Sequence, residues 1–165
     1  RNLFNALAQL SYSRTDWICI LVGAGMDSHN QKLNRLVIET QLDERLIIKH
    51  GSVDDPLPIF QEIDFLVLSS CGETFPTVVG EAMACEKPCV VTDVGDTSAI
   101  VGTSGWVVPV ADFLSLSSAL SSALDEIANS KKWNCRKASC RNEIQTRFPI
   151  ASMTWQYEHT WFTDD

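Results

Sequence analysis

The sequence has no apolar run that approaches the 18 residues expected of a membrane-spanning helix. It also lacks a basic excess, since 21 acidic and 13 basic side chains give a formal net charge of −8. No basic run offsets that charge, which argues against a nucleic-acid-binding or anionic-membrane surface. An acidic chain can still bind a phosphate through backbone N–H groups, so nucleotide ligands are not excluded.

The six cysteines form no CxxC pair, and no cluster of histidine, cysteine and aspartate has the spacing of metal ligands. Cys19 and Cys89 lie inside apolar runs of the strand type, where a thiol behaves as a small hydrophobe. We therefore predict free thiols in a reducing, cytoplasmic setting and no bound metal. Cys71 lies beside a glutamate-containing loop and leaves a catalytic thiol open as an alternative, but the sequence assigns no catalytic residue.

Apolar runs typical of strands alternate with helical patterns along the 165 residues, which we interpret as a single domain. The predicted strands cover 17–23, 45–51, 64–70, 88–94 and 105–110. The predicted helices cover 1–10, 28–41, 56–63, 76–85, 112–129, 131–147 and 150–163. Continuously apolar strands are typical of a parallel sheet that is covered on both faces. We therefore predict an α/β fold with a doubly wound, mostly parallel, Rossmann-like sheet flanked by helices.

Ligands of such sheets bind beyond the carboxyl ends of the strands. The first predicted strand leads there into Gly23 and Gly25, but Ser28 replaces the third glycine of a GxGxxG phosphate loop. A tight turn between strand and helix is the simplest interpretation of the two glycines, and a close backbone approach to a phosphate stays open.

A more specific pattern follows the third predicted strand, where Glu73 and Glu81 bracket the start of a helix. Pro76 suits the first turn of that helix, because its missing N–H would have no partner there. The free N–H groups of Thr77 and Val78, together with the helix dipole, can then face an anion such as a diphosphate.

On a helical wheel this segment divides into two stripes. The stripe that can face the sheet is apolar: Val78, Val79, Ala82 and Met83. The opposite stripe is small around its carboxylate: Thr77, Gly80, Glu81 and Ala84. A carboxylate among small side chains leaves room for a ligand, and it can accept hydrogen bonds from sugar or ribose hydroxyls.

The segment GETFPTVVGEAMACEKPCVVTDVGDTSAIVGTSGWVVPV, residues 72–110, closely resembles the donor-binding region of the retaining GT-B glycosyltransferases of the GT4 family. Glu73 and Glu81 fill the E-x7-E motif of that family. The segments ILVGAG and LIIKHGSVDDPLPIFQEIDFLVLSS also fall in the family's order, so the resemblance covers nearly the whole chain. It implies the C-terminal, nucleotide-sugar-binding half of a two-domain enzyme that transfers a sugar to an acceptor with retention. It also implies a UDP-sugar as the commonest donor, no cofactor or bound metal, and surface polysaccharide or glycolipid synthesis as a common setting.

The resemblance also implies a role for each matching residue. Glu73 would contact the sugar hydroxyls and Glu81 the ribose. The residues that would meet the donor sugar and the diphosphate follow one another: Thr74, Phe75, Pro76, Thr77 and Val78. The residues that would flank the base are Ser52, Val53 and Leu57.

Some positions depart from the family pattern. Thr74 replaces a common glycine, which predicts a tighter sugar pocket, and Glu86 replaces the glycine that usually ends the helix. If Glu86 adopts the left-handed conformation, the strain costs roughly 1 kcal/mol. The Arg and Lys that neutralise the diphosphate, and the central strand that carries the Arg, would precede residue 1, and Arg1 does not align with the lysine.

We therefore expect a chain cut from a longer protein, with an N-terminal acceptor domain upstream and no transferase activity in residues 1–165 alone. The last predicted helix carries an aromatic stripe: Met153, Tyr157 and Trp161, with Trp155 and Phe162 adjacent. In the resembling family the last helix returns to the N-terminal domain, so that domain is the expected partner, and packing on the chain's own domain is the alternative. A peripheral position at the inner membrane face, through the missing half, is a further expectation.

Two other functions remain open at this point. A non-catalytic α/β interaction module, such as a receiver-like signalling domain, would need an acidic pair after the first strand and a phosphoacceptor aspartate after the third. The sequence has GAGMD and SSCGE at those places, so the receiver set is not assembled. A nucleotide-sugar epimerase shares the predicted architecture, but the E-x7-E helix favours the transferase.

Overall fold

The structure is a computed structural model that describes residues 1–161, without the side chains at 150, 153, 156, 157 and 161. Its strands are β1 (Cys19–Val22), β2 (Ile47–Gly51), β3 (Leu66–Leu68), β4 (Cys89–Thr92) and β5 (Trp106–Val108). Its first helices are α1 (Asn2–Ser11), α2 (Gln31–Glu39), α3 (Leu57–Glu62) and α4 (Thr77–Ala84). The later helices are α5 (Thr97–Val101), α6 (Phe113–Ile127), α7 (Ser130–Arg147) and α8 (Ile150–Trp161).

Every strand pairing in the described residues is parallel. β1 pairs with β2, while β4 lies between β3 and β5, with Val90 opposite both Val67 and Trp106. Within residues 1–161 no hydrogen-bonded ladder joins β1 to β3, so the predicted single sheet consists of two parallel groups. The predicted α/β class with parallel strands and flanking helices is confirmed.

Helices cover both faces of the strands, as successive side chains of β4 demonstrate. Val90 belongs to a core cluster with residues of α1, α2 and α6, such as Phe4, Val37 and Leu116. Its neighbour Val91 belongs to a second cluster with residues of α3, α4, α5 and α7. Because side chains alternate along a strand, this division places one helical layer on each face of the sheet.

Two of the cysteines serve as small core residues. Cys89 and Cys140 are fully buried free thiols in the second cluster. Burial raises the pKa of Cys140 to about 12 and raises that of Cys89 as well. Both groups are therefore thiols at neutral pH and are unsuited to nucleophilic catalysis.

The helix α5 is absent from the sequence prediction. It has five residues, too few to display an apolar stripe with a period of 3.6. The buried Thr97 hydroxyl fixes its start, because it donates to the carbonyl oxygen of Thr92 at 2.7 Å. No helix in residues 1–161 is both long enough and apolar enough to cross a membrane.

Candidate functional site

The predicted site residues lie at the edge where the parallel strands end. Loops leave β1, β2, β3 and β4 at this edge, and hydrogen bonds join neighbouring loops. The Gly23 amide donates to the Gly51 carbonyl at 2.9 Å, which ties the loop after β1 to the end of β2. The Asp96 amide donates to the Thr74 carbonyl at 3.1 Å, which ties the loop after β3 to the loop after β4. These bonds connect the loops in two pairs, those after β1 and β2 and those after β3 and β4.

The loop that carries Glu73, residues 69–76 and here called the glutamate loop, packs directly on Gly95. Gly95 has a φ of +51°, and a Cβ at this position would lie 2.3 Å from the Glu73 carbonyl oxygen. It would lie 2.6 Å from the Thr74 carbonyl oxygen as well. Only glycine fits both the left-handed backbone and this close approach, so Gly95 determines where the glutamate loop lies.

An aromatic pair supports the same loop from another side. The rings of Phe75 and Phe148 meet edge to face, with centroids 6.0 Å apart and planes at 67°. Phe148 ends α7, and the Arg147 guanidinium lies 5.3 Å from the centre of its ring. The glutamate loop therefore contacts the junction between α7 and α8, which the sequence analysis did not identify.

The N-terminus of α4 presents open N–H groups at this edge. The helix begins at Thr77, one residue later than predicted, and Pro76 occupies the N-cap position. Pro76 offers no side-chain acceptor to this end, and the first N–H groups of an α-helix have no partner within the helix. An anion held there would meet Thr77 and Val78 and the positive end of the helix dipole.

The N-terminus of α2, which follows the Gly23–Gly25 turn, is different. The Asn30 side chain accepts from the amides of Lys32 and Leu33 at 3.0 and 3.1 Å. Gly23 and Gly25 have φ values of +129° and +74°, so the turn itself requires both glycines. These observations support the turn interpretation, and a phosphate contact at the two glycines stays a prediction.

The two predicted stripes of α4 are confirmed. Val79, Ala82 and Met83 are buried, and Val78 packs against the same core cluster. Glu81 and Ala84 are exposed on the other side. A Cβ at Gly80 would meet no atom of another described element within 4 Å, so the surface beside Glu81 is open.

A cavity of about 290 Å³ lies between α3 and α4. The residues that line it are Asp55, Pro56, Leu57, Phe60, Glu81, Ala84 and Cys85. It brings together Leu57 and Glu81, which were predicted to flank a base and to bind a ribose. Ser52 and Val53 lie in the loop that leads to the cavity, but they are not among the residues named above as lining it. The sequence could not identify Phe60, Ala84 and Cys85 as lining residues, because their role depends on how α3 and α4 face each other.

The structure shows the surroundings of Arg1 and the backbone conformation of Glu86, two positions at which the sequence departs from the family pattern. Arg1 forms an ion pair with Glu39 at 3.2 Å, at the end of α2. Glu86 has a φ of +62°, so this replacement for the usual glycine does adopt the left-handed conformation. In the described part of the chain, no group of three or more histidine, cysteine or acidic side chains is placed to hold a metal ion.

Comparison with known proteins identifies the family. The family model described as glycosyl transferases group 1 matches residues 1–126. The chain belongs to this family. A curated relative from Escherichia coli, UDP-Gal:alpha-D-GlcNAc-diphosphoundecaprenol alpha-1,3-galactosyltransferase, is 28% identical over 137 residues. That match covers 82% of this chain and 34% of the relative, so this glycosyltransferase chain spans about a third of the relative's length.

Solved structures share the fold of this group 1 glycosyltransferase chain. A glycosyltransferase from Rickettsia africae has a TM-score of 0.84 at 18% identity, over 96% of this chain and 42% of that one. HepE from Anabaena, in complex with UDP and glucose, has a TM-score of 0.81 at 22% identity. The match covers 99% of this chain and 44% of HepE. The predicted identification as a glycosyltransferase of the GT-B type is thus confirmed at the level of family and fold.

Most of the predicted tail contacts lie outside the described residues. The side chains of Met153, Tyr157 and Trp161, and the whole of Phe162, belong to that group. Trp155 is 58% exposed and stacks on His159, with ring centroids 3.9 Å apart. A contact between this helix and a further domain therefore stays a prediction.

Proposed function

We propose that this chain binds the nucleotide-sugar donor of a retaining glycosyltransferase and that the donor is a UDP-sugar. The observation that carries this proposal is that α4 combines an uncapped N-terminus with Glu81, four residues further along the helix, in the cavity between α3 and α4. A mostly apolar cavity that Asp55 and Glu81 also line suits a nucleoside, and an open helix N-terminus suits its diphosphate.

The proposal gives each predicted residue a physical task. Leu57, 46% exposed in the cavity wall, contacts the base, and Glu81 accepts hydrogen bonds from the ribose hydroxyls. The amides of Thr77 and Val78 bind the diphosphate, and their charge stabilisation extends to the leaving nucleotide as the sugar bond breaks. Glu73 orients the sugar, and the close packing of its loop on Gly95 holds it in place.

The related proteins support the choice of a UDP-sugar. HepE is described in complex with UDP and glucose, and also with UDP-glucose. The name of the relative from E. coli specifies UDP-Gal as the donor and a diphosphoundecaprenol-linked sugar as the acceptor. We therefore extend the proposal to a lipid-linked acceptor in surface polysaccharide or glycolipid synthesis, recognised by a part of the protein outside these residues. The family match favours this function over the receiver-like module and the epimerase.

A binding panel tests the donor site. Calorimetry and thermal unfolding with UDP, GDP and ADP would compare the wild-type chain with Glu81→Ala and with Glu44→Ala, an exposed glutamate outside the cavity. A ligand at one hundred times its dissociation constant adds about 2.7 kcal/mol to the free energy of unfolding. We expect UDP to bind best and Glu81→Ala to weaken it about tenfold or more, since a charged hydrogen-bond acceptor is lost.

The Glu44→Ala control separates the loss of a specific contact from the loss of one negative charge. Glu44→Ala should bind UDP like the wild type, because only the overall charge changes. Equal UDP affinity of Glu81→Ala and the wild type would contradict the ribose assignment. Absence of nucleotide binding by a folded wild-type chain would contradict the donor site as a whole.

A further inference from the structure

Positive charge is concentrated on one helix of an acidic protein. The helix α7 contains six of the 13 basic residues and a single acidic residue, Glu143. Its formal charge is therefore +5, while the whole chain has −8. In the sequence these basic residues form two adjacent pairs, Lys131–Lys132 and Arg136–Lys137, followed by Arg141 and Arg147, and the helix holds all of them on one element.

A polar pocket of about 220 Å³, here called the corner pocket, lies where α6 ends and α7 begins. The residues that line it are Thr103, Ser104, Glu126, Lys132, Cys135, Arg136 and Ser139. Thr103 and Ser104 immediately precede β5, so the pocket lies at the amino ends of the strands. It is therefore at the opposite edge of the sheet from the candidate donor site.

The charged groups of the corner pocket leave an excess of one positive charge. Glu126, whose side chain is 4% exposed, accepts from Nε and Nη2 of Arg136 and lies 2.9 Å from Nζ of Lys132. Two cations thus share one carboxylate. The Arg136 guanidinium also lies 4.2 Å from the centre of the Trp106 ring, which fixes its orientation, whereas the Lys132 side chain is 63% exposed and accessible to a ligand.

Ser104 is the most informative residue of the pocket lining. Ser104 is 3% exposed, and its Oγ has no hydrogen-bond partner among the described residues. Its backbone is already engaged, because its amide donates to Val101 and its carbonyl accepts from the Cys140 thiol. A buried hydroxyl without a partner is unfavourable, so this position favours a ligand that brings an acceptor into the pocket.

We infer that the corner pocket binds a phosphate group. A phosphate presents several acceptor oxygens, which match the hydroxyls of Ser104 and Ser139 and the ammonium group of Lys132. Its negative charge compensates the excess positive charge of the pocket. The phosphate can belong to a small phosphorylated molecule or to a lipid headgroup, since both offer the same chemistry.

Amide NMR of the labelled chain, titrated with inorganic phosphate against chloride at constant ionic strength, tests the inference. We expect saturable shifts at Thr103, Ser104 and Lys132. Ser104→Ala should weaken this binding about tenfold, the effect of losing one hydrogen bond to a charged group. Ser118→Ala, an exposed serine on α6, is the matched control and should bind like the wild type.

The same titration separates this site from the proposed donor site, because phosphate held at α4 would shift Thr77 and Val78 instead. Ser104→Ala removes an unpartnered hydroxyl, so it should fold and be at least as stable as the wild type in phosphate-free buffer. Absence of shifts at Ser104 and Lys132, or equal phosphate affinity of Ser104→Ala and wild type, would overturn the inference.

Vesicles distinguish the two sources of phosphate. Co-sedimentation with phosphatidylglycerol in phosphatidylcholine, compared with phosphatidylcholine alone, would use the wild type, Ser104→Ala and Lys132→Gln. Binding to the anionic vesicles that both variants weaken supports a lipid headgroup. Phosphate binding without vesicle binding supports a small phosphorylated ligand. Vesicle binding that neither variant weakens would place the contact elsewhere and contradict the role of the corner pocket.

Discussion

Glu86 is a residue whose backbone conformation suits glycine better than glutamate. It follows α4 with a φ of +62°, and the amides of Glu86 and Lys87 donate to Met83 and Ala82 at 3.0 and 2.9 Å. This is the Schellman arrangement that closes many helices. Glu86→Gly should remove the left-handed strain and raise the free energy of unfolding by about 1 kcal/mol. For a domain of this size, the melting temperature should rise by about 2–4 °C.

Glu86→Ala is the control for this prediction. Alanine keeps a Cβ in the left-handed region and removes only the carboxylate, which lies 3.8 Å from Arg141 in a partly exposed ion pair. Such pairs contribute little, so this variant should gain no stability. Equal melting temperatures for the glycine and alanine variants would show that strain at Glu86 is unimportant.

Gly95 gives the strongest steric prediction at the residue scale. Gly95→Ala would place a methyl group 2.3 Å from the Glu73 carbonyl oxygen, so the glutamate loop must move. We expect lower stability and clearly weaker UDP binding, measured by thermal unfolding and calorimetry. Gly72→Ala, in the same loop but with no described atom within 4 Å of the added Cβ, should change both quantities far less. Wild-type UDP affinity in Gly95→Ala would contradict the positioning role.

These residues also show which parts of the site the sequence can reveal. The stripes of α4 and the conformation of Glu86 follow from local spacing and helix-ending chemistry, so both were predictable. The importance of Gly95 arises from its approach to Glu73, 22 positions earlier in the chain. Phe148 is more distant still from its partner Phe75. Contacts of this kind depend on tertiary packing and leave no periodic signal.

At the scale of elements, the junction of α7 and α8 supports the glutamate loop through Phe148. An edge-to-face aromatic pair is worth about 0.5–1.5 kcal/mol, which corresponds to about two- to tenfold in an equilibrium. Phe148→Ala should therefore accelerate amide hydrogen exchange in residues 72–78 and weaken UDP binding by that factor. Phe148→Leu should recover part of the effect. Leu114→Ala, at an exposed apolar residue of α6, is the control and should leave the exchange of this segment unchanged. Unchanged exchange in Phe148→Ala would contradict a supporting role for the aromatic contact.

The junction of α6 and α7 should respond to pH through Glu126. The hydrogen bond from Arg136 lowers the pKa of this carboxyl group below its ordinary value, and that from Lys132 adds to the effect. A carboxyl with a lower pKa in the folded state stabilises the fold above its unfolded pKa, and this contribution is lost as the pH falls through the folded value. Thermal unfolding between neutral and acidic pH should therefore show a steeper loss of stability for the wild type than for Glu126→Gln.

Other acidic groups also contribute to the pH dependence, so the comparison needs a reference. Asp43, whose pKa the Arg45 side chain lowers to about 2, and Asp112, whose pKa the Ser115 hydroxyl lowers, act in the same direction. Both carboxyl groups are present in the wild type and in Glu126→Gln, so their effect cancels when the two stability profiles are subtracted. Glu44→Gln should follow the wild-type profile. A Glu126→Gln profile as steep as that of the wild type would contradict the assignment.

The predicted strands and helices have the correct type, but their lengths differ from those in the structure. The apolar runs of 6 or 7 residues contain strands of three to five, because hydrogen-bonded pairing extends over fewer residues than apolar burial. Helix α5 was missed because its five residues are too few for a periodic stripe, and the local hydrogen bonds from Thr97 to the Thr92 and Val94 carbonyls that fix its start leave no such signal. Cap and turn residues set the remaining boundaries, as Asn30 and Asp112 do for α2 and α6.

For the whole molecule, the alternation of side chains along β4 explains how a short chain forms two cores. Val90 lies in one cluster and Val91 in the other, so each face of the sheet is covered by a separate helical layer. The strands of each group are parallel, so their carboxyl ends lie together at one edge of that group. The proposed donor site is therefore a property of the topology, since it combines residues that follow β2, β3 and β4.

The last prediction concerns the activity of these 165 residues on their own. The chain spans 34% of the relative from E. coli and 42% of the Rickettsia africae structure, and the proposed roles of its residues are confined to the donor. Supplied with UDP-sugars and lipid-linked acceptors, the isolated chain should show no sugar transfer, because it positions no acceptor hydroxyl against the donor. A cooperative thermal transition and UDP binding in the same preparation would show that the chain is folded. Turnover by that preparation, abolished by Glu81→Ala, would contradict the prediction and place acceptor binding within these residues.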